Sequence, residues 1–439
     1  MIHEQLIKRS KEILNENFKE PGFTLPSPGL YPFQWNWDSG LIAIGYANYD
    51  MERAQKEIQT LLDTQWKNGF IPHIIFHRES ETYFPGPDFH QASLHPDATP
   101  KYKTTGMIQP PVIGFVLKEI YERADDKKKI LEFIGKSIDK VFHNHQYIYG
   151  NRDPWDEGLA YIYHNWESGT DNSPIWDTIW DNLDSPRYTF ERRDTAQVDA
   201  SQRPSNREYD HYLAIIDLAK KFNYDDAKIA EFSPFLVQDP LFNALLIKSN
   251  DALIDLYKLC GSGENKIKQL EKWQEKSIKN YESKFYDKEL GGYVHYDLRN
   301  KRSIRMLTSS SFVALFAGIP DKERAVGMAQ LLEQRFGGKD RYLCASFDPQ
   351  HEKYDPRRYW RGPVWININW MLYHGLKSYG MRSLAEQIKS DSLELVEKYG
   401  FYEYFDPRRS NEIGDNGGYG GANFSWTASL FIDFLMRDS

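Results

Sequence analysis

Residues 52–66, ERAQKEIQTLLDTQW, set Ala54, Ile58, Leu61, Leu62 and Trp66 on one face of a helix, with charged and amide side chains opposite. Stretch 2–17 does the same with Ile2, Leu6, Ile13 and Leu14. The pattern returns at 107–123, 127–143, 207–222, 239–259, 264–284, 321–335, 364–379, 383–399 and 424–437, and in shorter form at 38–48 and 306–317. Strand signals are short: FIPHIIF at 70–76 and GGYVHYDL at 291–298 suit small β-hairpins. Long loops at 20–38, 77–106, 144–206, 285–305 and 340–363 carry Trp, Asp and Gly together. Loops of that length are functional or disordered, and these are too aromatic for disorder. Paired helices joined by alternating short and long loops predict an all-α toroid of six helical hairpins, with a site where the long loops gather. An open helical solenoid is the other architecture, but no fixed repeat runs through the chain. No Pro/Gly/Ser linker divides it, so residues 1–439 are expected to form a single domain.

The chain has 439 residues, a formal net charge of −8 and two cysteines. The acidic balance argues against a nucleic-acid surface. No apolar run approaches the ~20 residues that cross a bilayer, and the charged start MIHEQLIKRSKEILNENF reads as helix rather than signal peptide. Cys260 and Cys344 stand outside any CxxC, as thiols of a reducing cytoplasm do. The expectation is therefore a cytoplasmic protein with neither membrane nor nucleic-acid partner; a homo-oligomer stays open. Aromatic residues make up 15% of the chain, with 12 Trp and 28 Tyr, more than a core alone needs. Flat rings with polar tips suit sugars, which have apolar C–H faces and polar edges.

Chemistry concentrates in a few segments. In YPFQWNWDSG, residues 31–40, Asp38 either caps the following helix or accepts from sugar hydroxyls beside Trp35. In WESGTDNSPIWD, residues 166–177, Gly169 permits a turn and Pro174 suits a first helical turn. Asp171 or Asn172 there could cap, yet a carboxyl beside Trp rings is also what a general acid needs. In RRYWRGPVWININW, residues 357–370, Trp365 and Asn369 lie i, i+4 and could share a pocket, while Trp370 reads as core. In FYEYFDP, residues 401–407, Glu403 sits among aromatics as a candidate base, and Asp406 before Pro407 reads as turn chemistry. The glycine-rich run 414–421 lacks the order of a phosphate loop and reads as a flexible lid or a close backbone approach.

Other chemistries find no support. The twelve histidines show no HExxH or finger-like pair, so no metal site is expected. Stretch 171–184 lacks EF-hand spacing, and neither a GxSxG elbow nor a catalytic cysteine signature occurs. Two carboxylates in an aromatic, helix-lined cavity remain the best-supported constellation.

Together these segments resemble the glycoside hydrolases of family 63, in the branch of short bacterial mannosylglycerate and glucosylglycerate hydrolases, from Tyr31 to the final helix. The resemblance implies an (α/α)6 barrel and inverting, exo-acting hydrolysis of a small α-glycoside without cofactor. It places the general acid on Asp171 and the general base on Glu403, with Glu412 and Asp415 as rivals for the base. Sugar-binding positions fall on Tyr31, Trp35, Asp38, His73, Tyr83, Gln109, Tyr359, Trp360 and Trp365, with Gly169 and Thr170 beside the acid. Release of glycerate would need a cation for its carboxylate. Arg203 and Arg207, in SQRPSNREYDHY, could form that clamp or pair with Glu208 and Asp210. Without the clamp, the expected substrate becomes a neutral α-glucoside or short oligosaccharide. A non-catalytic sugar-binding protein on the same toroid is the alternative from another class.

Overall fold

Glycines and serines let the inner helices of this chain approach closely. The computed structural model describes residues 2–437; Met1, Asp438 and Ser439, part of the expected 1–439 span, lie outside the described residues. Twelve helices organise it: α1 (Ile2–Asn17), α2 (Asn36–Tyr46), α3 (Met51–Leu62), α4 (Ile113–Arg123), α5 (Lys127–Asn151), α6 (Asn206–Lys221), α7 (Pro240–Leu259), α8 (Glu264–Phe285), α9 (Lys322–Leu331), α10 (Ile366–Ser378), α11 (Arg382–Tyr399) and α12 (Ser425–Met436). Helix α2 packs on α4, α4 on α7, α7 on the 3-10 segment Ser309–Leu315, that segment on α10, α10 on α12, and α12 back on α2. The circuit closes, which an open solenoid would not do. Helices α1, α3, α8 and α11 pack outside it, on α12, α2, α7 and α10 respectively, and α5 lies against α3, α4 and α7.

Composition separates the two sets. Every residue of α2 and of Ser309–Leu315 is buried, whereas α1, α8 and α11 bury one stripe each. That is the amphipathic outer helix and the inner one buried all round. A Cβ on Gly45 of α2 would stand 2.5 Å from the Ser429 Cα of α12, and one on Gly114 of α4 would stand 2.7 Å from the Ser249 carbonyl of α7.

Most expected helices form within a few residues of their expected bounds. Residues 107–112 differ: Pro110 and Pro111 keep them out of the helix, and α4 begins only at Ile113. The 306–317 pattern becomes a 3-10 segment, and 321–335 ends in a π turn, Leu332–Phe336. Of the two segments expected in hairpins, 291–298 gives one strand to each of two, Gly292–Tyr293 with Tyr286–Asp287 and His295–Asp297 with Arg302–Ile304, whereas 70–76 forms none. Ile74–Phe76 is the centre of a three-stranded antiparallel sheet between Gln34–Trp35 and Lys103–Thr104. Gly292–Tyr293 and His295–Asp297 join different sheets, the latter in a four-stranded one ordered Arg302–Ile304, His295–Asp297, Val237–Gln238, Tyr161–Ile162. The glycine-rich run is not a free lid either. Gly418–Ala422 pairs antiparallel with Tyr402–Phe405, the strand that bears Glu403.

Gly45→Val puts three carbons where the backbone of α12 already stands. The expected cost is about 1–3 kcal/mol of stability, outweighing any gain in helix propensity, read as a lower denaturant midpoint at unchanged slope.

Candidate active site

One cavity gathers the N-terminal ends of several inner helices. Asp38 lies in the first turn of α2, Gln109 four residues before α4, Trp365 at the N-cap of α10, and Phe424 and Trp426 at the start of α12, and all line it. Asp38 does not cap α2, one of the two readings open to it. Helix α2 starts at Asn36, and the amide of Trp37 donates instead to Gln109 Oε1 at 3.0 Å. That bond satisfies one of the orphan N–H groups of a helix start. Burial, then the nearby Glu403, push the Asp38 carboxyl well above its usual range.

The wall is aromatic and interlocked. Trp360 stacks on Trp365 with ring centroids 3.8 Å apart, and Trp365 stacks on Tyr404 at 4.7 Å. Tyr83 meets Trp35 edge-on at 5.4 Å, and Tyr31 meets it from another side at 5.2 Å. His73 completes this side, its ring 6.4 Å from that of Trp166. Such contacts hold rings rigid and leave faces for a ligand's C–H groups.

Asp171 hangs from a loop shaped by its neighbours. Gly169 has φ +74°, and a Cβ there would lie 2.7 Å from the Trp37 ring, so only glycine fits. Ser168 Oγ receives the amide of Thr170 at 2.9 Å, and the Asn165 side chain donates to the Asp171 carbonyl at 2.6 Å. Neither Asp171 nor Asn172 caps a helix: Ser173 precedes Pro174–Trp176, with no side-chain cap. Asn172 ties two segments together, its Oδ1 accepting from the Trp360 amide at 3.0 Å. Burial raises the Asp171 carboxyl to about 7, opposed by Arg203 and the Tyr359 hydroxyl.

Glu403 sits where its strand is irregular. Tyr402 pairs with Ala422 and Tyr404 with Tyr419, so two residues, Gly420 and Gly421, oppose Glu403 alone. This is a β-bulge, which re-aims a side chain. Gly420 has φ +70°, and a Cβ on it would strike the Glu403 carboxylate. The Gly421 amide donates to Glu403 Oε2 at 3.0 Å, and the Tyr31 hydroxyl to Oε1 at 2.8 Å. Burial raises the Glu403 carboxyl, while Arg203, the Gly421 amide and Tyr31 pull it back.

Tyr359 and Tyr31 bridge the carboxyls. The Tyr359 hydroxyl lies 3.1 Å from Asp171 Oδ2 and 3.3 Å from the Tyr31 hydroxyl. With the Tyr31–Glu403 contact, these links bound the Asp171–Glu403 oxygen separation at about 9 Å, which admits the ~6.5–9.5 Å of carboxyl pairs that leave room for a water. Tyr359 has φ +44°, a conformation a bulky residue rarely takes outside a site that over-determines it. Arg203 holds this end in place. Its Nε donates to Asp194 at 3.0 Å, one terminal nitrogen donates to the Tyr31 hydroxyl at 3.0 Å, and its guanidinium lies 4.4 Å over the Tyr359 ring.

Of the residues named from the sequence, Thr170 and Arg207 do not line the cavity. Thr170 is buried behind it against Ser168. Arg207, on α6, turns away to the Ser185 carbonyl and Asp210, so it forms no clamp with Arg203. Asn369 also points elsewhere, to Leu343, Cys344 and Ser392, because a helix start at Ile366 leaves Trp365 outside the helix. Glu412 and Asp415 are exposed and away from the cavity. Cavity residues the sequence reading did not single out include Trp37, Trp166, Asp194, Tyr209 and Trp426. The two tryptophans Trp37 and Trp166 stood inside quoted motifs. Asp194 had no signal: burial would raise its carboxyl, but Arg192 and Arg203 bring it down to about 2.

Residues 31–427 match the mannosylglycerate hydrolase MGH1-like glycoside hydrolase domain. A mannosylglycerate hydrolase of Thermus thermophilus is 40% identical, over 97% of this chain and 99% of its own. A glucosylglycerate hydrolase of Mycolicibacterium hassiacum is 32% identical over 94% of each. The crystal structure of a GH63 mannosylglycerate hydrolase from Thermus thermophilus, in complex with Tris and D-glycerate, superposes with a TM-score of 0.90 at 39% identity, covering 97% of this chain and 99% of that one. With this match running through every segment of the cavity, the chain belongs to glycoside hydrolase family 63, among its mannosylglycerate hydrolase-like members, and is a glycoside hydrolase.

Proposed function

We propose that the chain is an inverting, exo-acting α-glycosidase that hydrolyses mannosylglycerate or glucosylglycerate to the free sugar and glycerate. The closed circuit of inner helices supports an (α/α)6 barrel, read here as one domain over 1–439. Two free thiols, Cys260 and Cys344, favour the cytoplasm. The observation that carries the reading is the pair of carboxyls within about 9 Å across an aromatic cavity, in unlike surroundings. Asp171, its carboxyl raised by burial to about 7 so that a protonated fraction persists at neutral pH, donates its proton to the glycosidic oxygen as that bond breaks. Glu403, held towards its ionised form by Arg203 and the Gly421 amide, takes a proton from the water attacking the opposite face. Asp38 accepts from the sugar's hydroxyls, and Trp35 and Trp360 offer faces to its C–H surface, while Trp365, stacked between Trp360 and Tyr404, backs that wall. The relatives' names support a glycerate aglycone.

One observation favours a second substrate, a neutral α-glucoside: the charge of Arg203 already answers Asp194 and Glu403, and Arg207 points away. A proton NMR time course with mannosylglycerate, glucosylglycerate, trehalose and short α-gluco-oligosaccharides decides. The expected result is the β-sugar appearing first, together with glycerate; the α-sugar first overturns the acid–base pairing.

Asp171→Asn and Glu403→Gln each lower kcat by about 100- to 10,000-fold while the fold persists, as steady-state rates and circular dichroism will show. Full activity in either overturns that residue's role. The wild-type kcat/KM is expected to fall as pH rises through about 7, where Asp171 loses its proton. On the acid side it falls where Glu403 gains one, above the usual carboxylate range.

A further inference from the structure

The acid and the base are joined by a line of hydrogen-bonding oxygens whose protons can be counted. Asp171 Oδ2 to Tyr359 is 3.1 Å, Tyr359 to Tyr31 is 3.3 Å, and Tyr31 to Glu403 Oε1 is 2.8 Å. Three contacts take three protons, and the two phenols supply two. With both carboxyls ionised, each phenol donates outward and the 3.3 Å contact between them holds no proton. With both protonated, one phenol has no acceptor left in the line. A single proton on the pair fills every contact. Tyr31 then accepts from Arg203 and from Tyr359 and donates to Glu403, using its whole capacity. That proton belongs on Asp171, because Glu403 has the Gly421 amide at 3.0 Å and Arg203 at 3.8 Å.

We propose that Tyr31 and Tyr359 form a proton path that holds the free enzyme in this one-proton state and carries the proton back from base to acid after each turnover. The proposal rests on the acid–base reading above. In hydrolysis the bond from the anomeric carbon to the aglycone oxygen breaks and that oxygen takes the Asp171 proton. The water oxygen bonds to the anomeric carbon, and its proton goes to Glu403. The two hydroxyls then turn; Glu403 gives its proton to Tyr31, Tyr31 to Tyr359, and Tyr359 to Asp171. Three protons move one place, and none is exchanged with solvent. Burial holds both phenols well above their ordinary range, so the three move together rather than through a tyrosinate.

The other groups facing the pair are Arg203 and Asp194 from the long loop, Asp38 from α2, Tyr83, Tyr209 and Tyr212 of α6, and Tyr404. None is substituted in the test, although Tyr31→Phe takes from Arg203 its hydroxyl acceptor; the test is the pH profile of kcat/KM, a report on the free enzyme, for the wild type, Tyr31→Phe and Tyr359→Phe. Tyr31→Phe is expected to narrow the bell from both sides, by about one pH unit each. Glu403 loses its donor, so the acid limb rises; Tyr359 turns to ionised Asp171, so the basic limb falls. Tyr359→Phe removes two contacts from the one-proton state and one from the ionised state, while Tyr31 still donates to Glu403. Its basic limb falls and its acid limb stays. An acid limb that moves alone in Tyr31→Phe overturns the path and leaves a local contact. Failure of the acid–base reading shows elsewhere, as activity retained by Asp171→Asn or Glu403→Gln.

Discussion

A fully buried ion pair, Arg152 with Glu167, organises the acid side of the cavity. Both side chains are wholly inaccessible, and two parallel N–H···O bonds of 3.0 Å join them. The same carboxylate accepts the amides of Ile108 at 3.0 Å and Tyr163 at 2.9 Å, and Arg152 reaches Asp226 at 2.8 Å. One group thus collects the end of α5, the segment before Gln109, the strand Tyr161–Ile162 and the loop four residues before Asp171. Desolvating two charges is costly, and a hydrophobic pair of equal volume could be as stable. Losing one partner is different, about 3–5 kcal/mol, because a bare charge remains buried. The pair therefore makes alternative placements of the acid loop expensive, which catalysis by fixed geometry requires.

The two carboxyls proposed as acid and base are both raised by burial and are pulled back by different sets of donors. Asp171 has the Tyr359 hydroxyl and a more distant Arg203, and is lifted to about 7. Glu403 has a backbone amide, a phenol and a guanidinium, three groups that favour its charged form. Asp194 explains why Arg203 can stand there: its carboxylate, itself held by Arg192, fixes the guanidinium against Tyr31 and Tyr359. Acid and base are thus told apart by what donates to them, not by depth.

The helices were legible because amphipathic periodicity is local: each outer helix shows its stripe within its own residues. Asp171 and Glu403 were legible because each sits in a dense motif. The bulge beneath Glu403 was not, since strands of four and five residues, one of them with three glycines in five, carry no alternation to read. Arg203 and Arg207 lie four residues apart with the same local chemistry. Only tertiary contacts separate them, Arg203 facing Tyr31 and Glu403, Arg207 facing Asp210. Of the two readings open to Asp38, the cap fails for a similar reason: the Trp37 amide at the start of α2 donates to Gln109, more than seventy residues away.

The position of the cavity on the ring matters electrostatically. Asp38, Asp171, Asp194 and Glu403 all face it, with Arg203 as the facing guanidinium among its lining residues. Four carboxyls against one cation would normally drive several to neutrality. Helices α2, α10 and α12 begin at this wall, and α4 begins just beyond Gln109. Their N-terminal dipole ends each favour a nearby negative charge, by about 0.3–1 kcal/mol within the first turn. A ring of helices entered from its N-terminal end is therefore a place where an acidic site can keep one carboxylate ionised beside a protonated one. The chemistry sits on the loops, and the closed circuit of helices supplies the field in which those carboxyls titrate.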